Sequence, residues 1–113
     1  MKPARYDLRE SYAGDTYDAI AMTFQQDGAP MDLSDAEVSM VFFHRGEVLL
    51  RPSSTEGQTA IDDPTTGQVR VNPFNVPDHR GTLNHKLRIC WSNGTVRTLL
   101  VGNLPIMKGD PDE

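Results

Sequence analysis

One stretch near the end of the chain leaves little freedom in how it can fold. In Thr82-Leu83-Asn84-His85-Lys86-Leu87-Arg88-Ile89-Cys90-Trp91, Leu83, Leu87, Ile89 and Trp91 fall on one face, with His85 among them. Asn84, Lys86 and Arg88 fall on the other. A period of two marks a half-buried β-strand. Asn93-Gly94 follows, the pair that most favours a two-residue type I′ hairpin. A return strand is then expected from Thr95 to Val101, continuing after Gly102 through Leu104 and Ile106. A long antiparallel hairpin with one apolar face needs a second layer to cover it.

The rest of the chain reads as short strands between turn signals. Ile20, Met22 and Phe24 share one face, and Asp27-Gly28 then predicts a tight turn, because Gly accepts positive φ freely. Ser34-Asp35-Ala36-Glu37 spells a helix capping box. The residues after it, Val38-Ser39-Met40-Val41-Phe42-Phe43, alternate at a spacing of two and are β-branched and aromatic, so a strand is expected there. Ser34 and Asp35 then brace a turn through nearby backbone. His44-Arg45-Gly46-Glu47 predicts the next turn, followed by Val48-Leu49-Leu50. Pro52 to Gln58 reads as an exposed loop. Thr59-Ala60-Ile61 reads as a strand, "DDPTTG" as a turn, and Val69 and Val71 as an inward pair. Pro73 to Arg80 is expected to be irregular, since its prolines block pairing. The residues 108–113, "KGDPDE", read as a loose polar tail of a single domain spanning 1–113. About seven short strands with regularly spaced turn signals predict an all-β, immunoglobulin-like β-sandwich.

With 113 residues the chain has the length of one domain. Its net charge of −5 disfavours nucleic acid as a partner, because a phosphate backbone selects basic surfaces. No apolar run approaches the ~18–20 residues of a membrane span. The start, "MKPARYDLRE", lacks the apolar core of a secretory signal. A single cysteine, Cys90, forms no internal disulfide, which suits a reducing cytoplasm.

Several turn-plus-strand signatures occur in a particular order. They are Tyr6-Asp7-Leu8, Gly14-Asp15-Thr16, Asp27-Gly28-Ala29-Pro30-Met31-Asp32-Leu33-Ser34, Ala36-Glu37-Val38 and Thr66-Gly67-Gln68-Val69. Gly81-Thr82-Leu83, Asn93-Gly94-Thr95-Val96-Arg97-Thr98-Leu99 and Gly102-Asn103-Leu104-Pro105-Ile106 complete the set. Over nearly the whole chain this pattern resembles a family of small structural modules of tailed bacteriophages, including the N-terminal domain of baseplate upper proteins. The resemblance implies a non-enzymatic virion structural protein, made in the host cytoplasm and bound to other subunits at the tail, neck or baseplate. A capsid decoration protein on the head surface is the near alternative. A carbohydrate- or host-surface-binding module ranks lower, because Trp91, the single Trp, is expected to face inward.

Candidate chemistry is sparse. His44, His79 and His85 lie in different segments without metal-ligand spacing, and His85 reads as a core histidine. The loop aspartates, Asp15, Asp27, Asp32, Asp35, Asp62 and Asp63, lack a calcium-loop pattern and fit turn bracing better. Cys90 has Lys86 and Arg88 on its face, but no partner base is specified, so it reads as a small apolar filler. No catalytic residue, cofactor or metal site is assigned. Interface candidates are Tyr6, Leu8 and Tyr12, clustered with Tyr17, Arg5 and Arg9, because aromatic and Arg residues are enriched at interfaces. Phe74 and Val76 join them as exposed apolar residues on a proline-stiffened loop. A homo-oligomer is compatible with this reading.

Overall fold

Strand alternation builds the molecule in the way the long hairpin demands. A computed structural model describes residues 3–79 and 81–107; the tail expected at 108–113 lies outside them. Among the described residues seven strands have four residues or more. They are β4 (Ile20–Thr23), β7 (Ala36–His44), β8 (Glu47–Leu50), β9 (Thr59–Asp63), β10 (Gln68–Val71), β12 (Gly81–Trp91) and β13 (Val96–Met107). Two-residue pairings add β1 (Ala4–Arg5), β2 (Ser11–Tyr12), β3 (Thr16–Tyr17), β5 (Gln25–Gln26), β6 (Ala29–Pro30) and β11 (Phe74–Asn75). No helix forms among the described residues.

The large sheet runs β1-β13-β12-β7-β8, with β2 also on β13; a smaller one runs β4-β10-β9, and β11-β3 and β5-β6 form separate two-stranded pairs. In immunoglobulin lettering the small sheet is B-E-D and the large one G-F-C-C′, the two-layer order of an immunoglobulin-like sandwich. Between the layers lie Val38, Met40 and Phe42 of β7, Leu83, Leu87 and Ile89 of β12, and Val69 and Val71 of β10, all buried. These are the inward positions of the alternation.

The capping-box stretch is a turn. Asp35 takes φ 58°, and β7 starts at Ala36. The brace comes from Asp32: its Oδ1 accepts from the Ser34 N–H at 2.9 Å and from the Ser34 hydroxyl at 2.6 Å. Those bonds hold the Asp32 carboxyl below its ordinary pKa. Asp63 does the same with Thr65.

Three expectations need correction. Asn93-Gly94 is not a type I′ pair. Gly94 has φ 91° while Asn93 does not have positive φ. The Gly94 N–H donates to Trp91 O and the Trp91 N–H to Thr95 O, so the loop is a type I turn closed by a left-handed glycine. Next, Pro52–Gln58 is not simply exposed. Pro52 is buried, and its carbonyl accepts from the Met40 N–H, which ties the crossing to β7. Lastly, Cys90 is exposed and fills no core space, because the face it shares with Lys86 and Arg88 is the outer face of the large sheet.

The return strand is continuous through Gly102. Its register slips between Leu87 and Arg88, so that Leu87 faces Leu100 and Arg88 faces Thr98. The extra residue, Leu99, lets Leu99 and Leu100 both be buried despite the alternation.

Candidate interaction surface

The segment from Ala4 to Ala13 closes the β13 edge of the large sheet. Ala4 and Arg5 pair in parallel with Leu100 and Val101, and Ser11 and Tyr12 with Ile106 and Met107. Between them the Tyr6 N–H donates to Val101 O at 2.9 Å and the Leu8 N–H to Asn103 O at 2.8 Å. The Ala13 N–H donates to Met107 O at 3.1 Å. An edge that would otherwise present free N–H and C=O groups is thus covered by the chain's own start.

Two core features fix this segment. Leu8 is buried in the hydrophobic cluster. The Tyr6 carbonyl lies 2.9 Å from His85 Nε2. A carbonyl only accepts, so in neutral His85 the proton sits on Nε2, and the buried Nδ1 has no hydrogen-bond partner among the described residues. Burial is the main cause pulling the His85 pKa below its ordinary 6.5; the Tyr6 carbonyl and Asp7 oppose it, and Arg5 adds to it. The Asp7 carboxylate receives the Asn103 N–H at 3.0 Å and pairs with Arg5 at 3.1 Å.

The expected interface residues separate into two groups. Tyr6 and Tyr12 are exposed, at 50% and 43%, as is Met107 beside Tyr12. Tyr6 also borders a shallow cleft of about 400 Å³ between this segment and the outer edge of β4. Leu8 and Val76 are buried, so neither presents a surface to a partner. Phe74 is half-buried. Its ring stacks on Tyr17 at 5.4 Å and packs against Phe42 at 5.1 Å.

The expectation of exposed apolar residues at 74 and 76 fails for a backbone reason. The prolines do not keep this loop out of pairing: Phe74 and Asn75 pair with Tyr17 and Thr16. The Val76 N–H donates to Asp15 O at 2.8 Å, and the Gly14 N–H to Val76 O at 3.0 Å. The loop is stapled down and its apolar side chains close one end of the core. Tyr17 goes inside with them; its hydroxyl accepts from the Arg9 N–H at 3.2 Å, and the Arg9 guanidinium lies 5.4 Å from its ring centre.

His44 and His79, far apart in sequence, come together with ring centroids 4.7 Å apart, while His85 lies inside against Phe42. Among the described residues no group of three or more His, Cys, Asp or Glu side chains could hold a metal ion. Trp91 is half-buried, and its indole N–H donates to Asp32 O at 3.3 Å.

One surface went unrecognised in the sequence. The outward positions of β7 and β8 are apolar at Val41, Phe43 and Val48, and those of β12 are basic at Lys86 and Arg88. The signal was present: β7 carries apolar residues at both parities, more than one buried face needs.

An immunoglobulin-like sandwich with an aromatic-bearing edge is the class that fold and surface define. No protein-family model matches the chain, and no curated protein matches it. Among solved structures it is similar to CopC from Methylosinus trichosporium OB3b, with a TM-score of 0.49 and 10% identity over 90% of this chain and 86% of that one. The fold assignment rests on the strand order described above.

Proposed function

We propose that the chain is a non-enzymatic structural subunit of a tailed-bacteriophage virion. It binds neighbouring subunits at the tail, neck or baseplate, with decoration of the capsid surface as the alternative site. The observation that carries the protein-binding part is the pair of exposed tyrosines, Tyr6 and Tyr12, on a segment pinned along β13. Large aromatic rings on a rigid backbone contribute contact area and lose little conformational freedom on docking. The outer edge of β4, without a strand partner among the described residues and beside the cleft at Tyr6, offers backbone groups for an added strand. The virion assignment rests on the ordered motifs, and these coincide with turns that the sandwich requires. Gly67, for example, lies so close to the Phe24 and Met31 carbonyls that a β-carbon would not fit.

The test is mass spectrometry of gradient-purified particles from cells in which the phage carrying this chain is growing. Recovery of the chain at a fixed copy number relative to the other virion proteins is expected. Its absence from particles, with abundant free protein in the lysate, would overturn the reading.

A further inference from the structure

Beyond the N-terminal edge, the outer face of the large sheet has a composition unlike the rest of the molecule. Strand register places Val41 beside Lys86, Phe43 beside Val48 and Arg88 beside Ser39. With Arg51 these residues line a hollow of about 320 Å³. Val48 is 45% exposed, and Val41 and Phe43 are half-buried. The Lys86 ammonium lies 5.4 Å from the centre of the Phe43 ring. Among the described residues the ion pairs are Arg5–Asp7, Arg9–Asp18 and Arg70–Asp62, so Arg51, Lys86 and Arg88 enter none. Glu37, opposite Cys90, is the acid on this face of β7, at the far end from Phe43. A chain of net charge −5 therefore gathers around an apolar floor three cations that have no ion-pair partner among the described residues.

We propose that this face docks an acidic protein segment carrying at least one apolar side chain. Charge complementarity selects the occupant: carboxylates meet Arg51, Lys86 and Arg88 while an apolar group fills the space between Val41, Phe43 and Val48. A second copy meeting this face symmetrically would set cation against cation. A nucleic acid needs a longer basic track and finds the remainder of this acidic chain repulsive. The outer edge of β8, without a strand partner among the described residues, borders the hollow, so an extended segment can continue the sheet there. This inference holds whether or not the chain is a virion protein.

The experiment probes an array of random peptides of about twelve residues, long enough to lie along a sheet edge. Labelled wild-type chain is compared with the Lys86→Glu/Arg88→Glu variant, whose exchanges lie on the outer face. Circular dichroism melting is expected to be alike for the two. Wild type is expected to favour peptides rich in Asp and Glu with an aromatic or aliphatic residue. That binding should weaken with added salt and fall about tenfold or more in the variant. Val41→Ser/Val48→Ser, keeping the charges, should weaken the same peptides. Binding indifferent to peptide charge, or undiminished in the charge-reversed variant, would overturn the proposal. So would a single-stranded oligonucleotide that competes better than acidic peptides, or a wild-type dimer that the charge reversal dissociates.

Discussion

A β-carbon at residue 102 would collide with the carbonyl oxygen of Tyr6 and press on the His85 ring. That close approach holds the N-terminal segment against β13, and it requires glycine in the middle of a strand. Gly102→Ala is expected to cost about 2 kcal/mol, in the range of overpacked sites. The measurement is amide hydrogen exchange: residues 4–13 should exchange faster in the variant, while β7 and β12 remain the slowest. Equal protection of the segment in both proteins would refute the role given to Gly102. His85 adds a pH dependence. Its folded pKa lies below the ordinary 6.5, so the unfolded chain takes up the proton first as pH falls. The stability of the neutral, buried ring is fully present above that value and declines as pH drops below it. Urea unfolding midpoints should therefore fall between about pH 7 and pH 5.5, with a shallower fall for His85→Gln. An unchanged slope would remove His85 as the cause.

The strands and turns divide into those set by local pattern and those set by distant partners. The hairpin at Ser92–Gly94 belongs to the first kind, although its turn differs from the expected one. Since Gly94 has positive φ and Asn93 does not, Gly94→Ala should cost about 1 kcal/mol or more, the penalty for a β-carbon in the left-handed region. Asn93→Ala should cost less, losing one exposed bond that the Thr95 N–H donates to Asn93 Oδ1. Equal costs in thermal denaturation would favour a type I′ turn. The period of two identified β7, β10 and β12 correctly, because the inward positions of each alternate against the core; β13 followed instead from the turn before it, and its extra residue at Leu99 breaks the alternation. Phe74 and Val76 were misjudged because the residues that bury them, Asp15 to Tyr17, lie far off in sequence and pair through backbone atoms. Side-chain pattern carries no trace of such a pairing. Phe74→Asp is accordingly expected to destabilise the fold by about 3 kcal/mol or more, since it removes a stacked ring and introduces a charge beside Phe42. A melting temperature equal to wild type would return Phe74 to the surface.

At the scale of the whole molecule, the sandwich is long and narrow, with extents of 49 × 25 × 24 Å. One long edge is sealed by the N-terminal segment, while the outer edges of β4, β8 and β9 have no strand partner among the described residues. The exposed tyrosines therefore sit on the closed edge, where side chains rather than backbone must make the contacts. The free edges and the basic face remain for extended segments. Such a division suits a subunit that touches more than one neighbour in an assembly. The most direct measurement is incorporation into particles of wild type and of Tyr6→Ser/Tyr12→Ser, after both are shown to melt alike. Both rings are exposed, so the double exchange should leave the fold intact and reduce the copies recovered per particle about tenfold or more. Recovery of the variant at the wild-type level would contradict the claim that this edge holds the protein in place.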